Sequence, residues 1–324
     1  KKTYLLNYGE VPFGDITKES TKSYIPDGFD VSDIKSIDMQ YKKVLLIIFA
    51  SMFSLSLLIG FISIKIIHDN ITKSTQENIE NICLNKKEEL NSVLSSIQQS
   101  VNIIANTSQS KITSLETILD DSKYNDYISE MENQFTNISN NTNGAVAFYY
   151  RLDPELKDST SGFFYTGSSY QFIKEPNTNL ADYDENDIEH VGWFYIPKKN
   201  GQPTWVMPYE NLNVDIYMIS YVVPIYFKGT FVGVIGMDID FNVLIEKLDI
   251  DTKYETALVY LAVENRIIYH EDYEYNSIKV IDPLLYEIET KLINNMSLIL
   301  SINKNEKIEN IINRIIRQLK KERE

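Results

Sequence analysis

Two ionisable residues set among apolar neighbours carry the most chemical potential in this sequence of 324 residues. Asp238 stands in TFVGVIGMDIDF (230–241), which alternates as a strand does, so Val234, Gly236, Asp238 and Asp240 share one face. A carboxylate beside apolar residues needs a partner. That partner is a ligand ammonium, Arg151 or a backbone amide. Arg151 lies in AVAFYYRL (145–152), a second strand-like run. Aromatic side chains cluster between the two, in GWFYIP (192–197) with Trp193, Phe194 and Tyr195, and in TWVMPY (204–209) with Tyr209. Such rings line pockets, and they fill an ordinary sheet core equally well. The 22 Tyr, against 2 Trp and 14 Phe, suit either use, having an apolar body and a polar tip.

Other candidates for chemistry are weaker. The acidic run ADYDENDIEH (181–190) invites calcium but lacks the glycine of the sharp turn and the closing glutamate. It reads as a solvated loop, and no metal site is expected. His190 and His270 stand without a spaced partner and read as structural. Cys83, the one cysteine, permits neither an internal disulfide nor a cysteine-based metal site. There is no G-x-S-x-G, no Gly-rich phosphate loop and no H-E-x-x-H. No cofactor and no enzymatic activity are expected. A net charge of −15 repels phosphate backbones and argues against a nucleic-acid partner.

The elements that must position these residues begin at a membrane. Residues 44–64, VLLIIFASMFSLSLLIGFISI, carry no charge and are long enough to cross a hydrocarbon core of roughly 30 Å as a helix. Lys42 and Lys43 abut its N-terminal end, while His68 and Asp69 follow the other. The lean is therefore toward a cytoplasmic N-terminus, although the lysines nearly balance over a wider window. Residues 1–41 read as a tail without sustained period. The text from Asp69 to Ser139 holds no Pro or Gly. Ile79, Cys83, Leu90, Leu94, Ile97, Val101 and Ile104 recur there at helical spacing, with a break expected at Asn106–Ser110. Such a stalk would span roughly 50–60 Å.

After Gly144 the pattern becomes that of antiparallel hairpins. Strands are expected at 145–152, 162–167, 192–197, 204–209, 215–227 and 230–241, with 168–189 a polar loop and 198–203 an Asn-Gly turn. A short helix follows at 243–248. A smaller unit restarts at ALVYLAVENRIIYH (257–270) and continues with SLILSI (297–302), with little between Tyr275 and Ser297 to build further strands. Ile308, Ile311, Ile312, Ile315, Ile316 and Leu319 mark an amphipathic C-terminal helix.

In order and text the chain resembles a double Cache sensor. AFYYRLDPEL, GWFYIPKKNGQPTW and ISYVVPIYFKGTFVGVIGMDIDF carry the likeness, and ALVYLAVENRIIYHEDYEY resembles the recurrent element of the smaller subdomain. The resemblance implies an α+β fold: transmembrane helix, long stalk helix, two PAS-like antiparallel-sheet subdomains (distal larger, proximal short) and a terminal amphipathic helix. The corresponding boundaries are 1–41, 42–67, 68–142, 143–250, 251–303 and 304–324. It also implies an extracytoplasmic sensor of a bacterial receptor in the cell membrane, with 68–324 outside and a homodimer through the stalk. The output module would be a histidine kinase, diguanylate cyclase or chemotaxis coil. Because the chain begins at Lys1 and ends in KKERE, it is read as a truncated product.

Relatives that sense amino acids use Arg-x-Trp-aromatic, a later tyrosine and an aspartate ending a GVIGMDI-like strand. Here these fall on Trp193, Phe194, Tyr209 and Asp238, with Tyr195 beside them; the arginine position holds Val191. Arginine would offer a fork to a ligand carboxylate, while the aspartate and rings hold an ammonium. Val191 leaves half a site, which ranks amines ahead of amino acids unless Arg151 supplies the missing charge. Rival readings are a protein-binding or degenerate sensor and, further off, an anchored hydrolase.

Overall fold

Two periodicities decide the architecture: a helical seam that a sheet can cover, and strands whose alternate residues face different layers. The computed structural model describes residues 31–168, 171–250, 254–270, 272, 276–280 and 282–304. The chain divides into two units, Lys1–Ile71 and Thr72–Glu324. A helix, α1 (Val31–Lys111), begins in the first unit and ends in the second.

In the first unit the apolar stretch of α1 exposes its large side chains, Leu46 and Phe61 each to 70%. It is long and apolar enough to cross a membrane. Ser51 and Ser56 donate back to the carbonyls of Ile48 and Phe53, both at 2.8 Å, which removes their cost in lipid. The helix begins at Val31, ten residues inside the segment read as a tail; residues 1–30 lie outside the described residues.

In the second unit, all seven seam residues of α1 from Ile79 to Ile104 are buried. The break expected at Asn106–Ser110 does not occur. Thr107 Oγ1 donates to Ile103 O at 2.8 Å. Ser108 Oγ is buried 2.6 Å from Tyr127 Oη and 3.2 Å from Tyr150 Oη. Polar residues that looked like a helix end are thus satisfied by tertiary partners. After α2 (Glu116–Leu119), α3 (Asp121–Ser139) is capped by Asp120, which accepts from Lys123 N.

The larger sheet holds β1 (Ala145–Leu152), β2 (Gly162–Ser168), β3 (Gln171–Lys174), β4 (Thr204–Asn211), β5 (Ile216–Phe227) and β6 (Thr230–Asp240). Its order is β3-β2-β1-β6-β5-β4, and every neighbouring pair is antiparallel. Phe148, Tyr150, Ile235, Met237 and Ile239 pack with the buried residues of α1 and α3. Tyr149, Val206, Tyr209, Val222 and Val234 face the other way, toward Val191, Trp193 and Phe194.

Those last three residues belong to a helix, α4 (Ile188–Asn200), and not to the expected strand. Asp187 caps its start by accepting from His190 N, and Gly201 ends it at φ +67°, a left-handed conformation that glycine adopts without strain. The Asn-Gly pair read as a hairpin turn is therefore a helix stop. Part of the expected 168–189 loop is also structured, as β3 and a 3-10 turn at Leu180–Asp182.

A second sheet follows α5 (Phe241–Glu246): β7 (Leu258–Val263), β8 (Arg266–Tyr269), β9 (Leu285–Lys291) and β10 (Ser297–Asn303), ordered β8-β7-β10-β9. β9 lies where the sequence had offered little for a strand. One face joins the core along α1 through Leu261, Leu298 and Leu300. The opposite face carries Tyr260, Ala262 and Ile299. Glu287, Glu289 and Lys291 alternate on the same side, across from Ser301, Ile299 and Ser297. Of the expected C-terminal helix, residues 305–324 lie outside the described residues.

Candidate functional site

β1 and β6 are neighbours, so their α4-facing residues meet. Tyr149 pairs with Gly236, Arg151 with Val234 and Ala147 with Asp238. Gly236 is required there: a Cβ would lie 2.4 Å from Tyr149 Cζ, because the tyrosine ring crosses directly over it. That crossing carries the ring toward the carboxylate two residues along.

A pocket lies between this sheet face and α4, lined by Tyr149, Arg151, Phe164, Thr178, Trp193, Asn211, Asn213 and Asp238. It leaves about 10 Å³ for the centre of a water molecule, room for roughly one water. The pocket is narrow.

Its two charges are both buried, Asp238 and Arg151 each being 1% exposed. Burial pushes the Asp238 carboxyl up to about 7, against the lowering effect of the nearby Ser220 and Tyr149 hydroxyls. Neither hydroxyl completes its solvation: Asp238 Oδ1 and Tyr149 Oη have no hydrogen-bond partner. Ser220 Oγ is engaged 3.0 Å from Tyr209 Oη. Burial likewise pulls the Arg151 guanidinium down to about 10. Arg151 donates to neutral carbonyls alone: Nη2 to Ser159 O at 2.8 Å and Thr178 O at 2.6 Å, Nε to Ser161 O at 3.3 Å. Its guanidinium carbon lies 5.7 Å from the centroid of the Trp193 ring. Trp193 in turn meets Tyr149 edge-on, 4.8 Å between centroids.

The far wall is held by amides. Asn213 Nδ2 donates to His190 O at 2.8 Å and to Asn211 Oδ1 at 3.0 Å. Trp193 Nε1 donates to the same His190 carbonyl at 2.9 Å. The turn after β4 is thereby tied to the first turn of α4, which fixes the indole over the sheet.

Of the six residues singled out in the sequence, Trp193, Asp238 and Arg151 line this pocket. Phe194, Tyr195 and Tyr209 do not. Phe194 is fully buried and packs against Phe231, 5.9 Å between centroids. Tyr195 sits edge-on to Phe194. The helical conformation explains the split, since consecutive residues turn about 100° apart: Trp193 reaches the Tyr149 ring at the pocket, while Phe194 packs on Phe231 farther along the sheet. Residues not foreseen are Tyr149, Phe164, Thr178, Asn211 and Asn213. Tyr149 alone was legible, because alternation in AFYYRL places it on the Arg151 face. His190 is structural: Nδ1 lies 3.0 Å from Asp187 Oδ1, and Tyr183 stacks on the ring. Among the described residues no His, Cys, Asp and Glu group could hold a metal ion. Cys83 is buried, and burial pushes its thiol up to about 11.

The second unit is thus a helix-backed antiparallel sheet with a charged pocket on its far side, followed by a smaller sheet on the same helix. Residues 115–246 match the family described as "Methyl-accepting chemotaxis protein-like, first PDC sensor domain", a model of the PDC, or Cache, type. Two similar solved structures agree on the fold. The extracellular domain of the putative histidine kinase mmHK1S-Z3 is 14% identical, with TM-score 0.51 over 74% of this chain and 97% of its own. That of soHK1S-Z6 is 15% identical, with TM-score 0.51 over 74% and 98%. The ligand-binding domain of Campylobacter jejuni chemoreceptor Tlp3, solved with L-valine, is 12% identical, with TM-score 0.47 over 73% and 97%. A curated protein, Type II methyltransferase M.HpaII of Haemophilus parainfluenzae, is 55% identical over 31 residues, 10% of this chain and 9% of that protein. So short a match shows no shared activity. The Cache resemblance drawn from the sequence is borne out by fold and family alike.

Proposed function

We propose that the second unit senses a small zwitterionic amino acid outside the cytoplasm, held between Asp238 and Arg151, and that the resulting displacement reaches the membrane through α1. One observation carries this reading. A buried carboxylate and a buried guanidinium line the same pocket, and among the described residues neither has an opposite charge as partner. Buried charges without partners are costly, so a fold that retains both in one cavity is matched to a ligand bearing both opposite charges. Arg151 would fork to the carboxylate. Asp238 would accept from the ammonium beside the Tyr149 and Trp193 rings. This reverses the order reached from Val191 alone, in which an amine came first.

In this scheme residues 42–67 span the bilayer, 68–142 form the stalk and packing helices, 143–250 the distal and 251–303 the proximal subdomain. Residues 68–324 lie outside, and two copies pair through the stalk. Ligand binding favours one conformation only by its difference in affinity for the two, and a pocket that now holds about one water must open to fill.

The test is a thermal-shift and calorimetric panel on the full chain in detergent: glycine, L-alanine, L-serine and L-valine, each beside the matching amine and carboxylic acid. A bound amino acid at a hundred times its dissociation constant stabilises by about 2.7 kcal/mol. Stabilisation by amino acids but not by either half-molecule supports the two-charge site. Equal stabilisation by the amine alone removes Arg151 from it. Silence from every compound refutes small-molecule sensing here and favours a protein partner.

A further inference from the structure

Resting on that reading, we infer that the segment Glu175–Asp187 is the door of the site and that Arg151 is its latch, so the guanidinium that receives a ligand carboxylate also holds the entrance shut. The door starts at Glu175, whose N donates to Phe164 O at 2.9 Å and whose Oε1 accepts from Thr166 Oγ1 at 2.9 Å, and beyond this hinge it is attached over four consecutive residues, 177–180. Asn177 Nδ2 donates to Thr160 O at 2.8 Å and Gly162 O at 3.0 Å. Thr178 gives its carbonyl to Arg151 Nη2 at 2.6 Å and also lines the pocket. Asn179 Oδ1 accepts from Ser159 Oγ. Leu180 N donates to Ser159 O at 3.3 Å, and its side chain is 1% exposed. Beyond it, Ala181, Asp182, Asp184, Glu185 and Asn186 are exposed.

The bonds of these four residues converge on one place, the β1–β2 connection at Ser159–Gly162, and on Arg151 beside it. The attachment is polar at residues 177–179 and apolar at Leu180 and Tyr183, which join the cluster of Tyr149, Trp193 and Phe194, while the exposed residues of the segment add little packing. Such weakly packed segments open far more often than a core strand. The guanidinium charge rests on three neutral carbonyls. A carboxylate is a stronger acceptor than any of them. Its arrival competes with Thr178 O for Nη2, which couples occupancy of the pocket to the hold on the door.

The test locks the door covalently. In the full chain, Ser159→Cys with Asn179→Cys places two thiols where side chains now touch, and the single native cysteine, Cys83, is buried. The ligand is whichever amino acid of the panel above stabilises the wild type most. Association measured by stopped flow should fall at least a hundredfold in the oxidised variant and return to within a few-fold of wild type on reduction. A second variant, Asn177→Ala, removes two door bonds and should speed association roughly tenfold. Wild-type binding with an unchanged on-rate in the oxidised lock, or in Asn177→Ala should the disulfide not form, overturns the door. Absence of binding by the wild type overturns the two-charge reading itself.

Discussion

The two sheets of the second unit both carry charged residues on the face turned away from α1, and they treat them in opposite ways. On the smaller sheet the charges of β9 find internal partners. Lys279 Nζ lies 3.5 Å from Glu287 Oε2 and 3.2 Å from Glu289 Oε2. Tyr260 Oη donates to Glu287 at 2.7 Å, Ser297 Oγ to Glu289 at 2.6 Å, and Lys291 Nζ to Ser297 Oγ at 2.6 Å. On the larger sheet Asp238 and Arg151 share a pocket and share no such partner. A closed network stabilises a surface; an open pair of buried charges costs stability, and its retention points to something outside the chain. On the function proposed above, sensing belongs to the larger sheet and a supporting role to the smaller.

The largest expected effect comes from breaking the open pair. Asp238→Ala should cost amino-acid affinity 2–5 kcal/mol by calorimetry, at least about thirtyfold, while the fold persists. Unchanged affinity would remove Asp238 from the site. Stability should move the other way. The folded-state pKa near 7 lies above the ordinary value of 3.8, so the folded protein holds the proton more tightly. Stability of the ligand-free chain therefore falls as pH rises from about 4 to 7 and stays low above it. Asp238→Asn should raise stability in urea titrations at pH 8, by a few kcal/mol at most, and change it little at pH 4. An ammonium needs the ionised carboxylate, so affinity in the wild type should decline toward about tenfold per pH unit below 7. A flat profile from pH 5 to 8 would contradict that.

Smaller effects sharpen the contrast. Tyr209→Phe deletes a hydroxyl that engages Ser220 outside the pocket lining. It should cost about 1 kcal/mol of stability in urea titrations and shift affinity less than threefold. On the closed network, Glu289→Gln should cost less than about 1 kcal/mol, since its side chain is 41% exposed and solvent screens the pairing. The Ser297 hydrogen bond, ahead of the Lys279 contacts, holds this carboxyl below its usual 4.5. That small contribution is present above pH 4.5 and lost as acid protonates Glu289. Ligand affinity should not respond. A tenfold loss would show the two faces to be one coupled system.

Much of the scaffold was legible because its signals are local. The seam of α1 follows from spacing alone, and alternation in GVIGMDIDF put Asp238 on a face with Val234. The misreadings also have local causes. GWFYIP looked like a strand because it is aromatic and closes with Pro197, which lacks the N–H that would bond the Trp193 carbonyl. The caps that make it a helix, Asp187 and Gly201, lie just outside the run and looked like an acidic loop and a hairpin turn. Asn106–Ser110 looked like a helix end because the partners that satisfy Ser108 come from α3 and β1.

From the sequence by itself came an apolar span, a long helix with one buried seam, strands that alternate, and an aspartate and an arginine on strand faces that demand partners. Which residues meet was decided only in three dimensions. The pairing of β1 with β6 puts Arg151 and Asp238 on one face, across nearly 90 residues of chain. The helical phase of α4 admits Trp193 and turns Phe194 away. The carbonyls of Ser159 and Thr178 take the place of an anionic partner for Arg151. Periodicity is a property of neighbours along the chain. Register, helix phase and the solvation of a buried charge depend on contacts between distant segments, which no local pattern encodes.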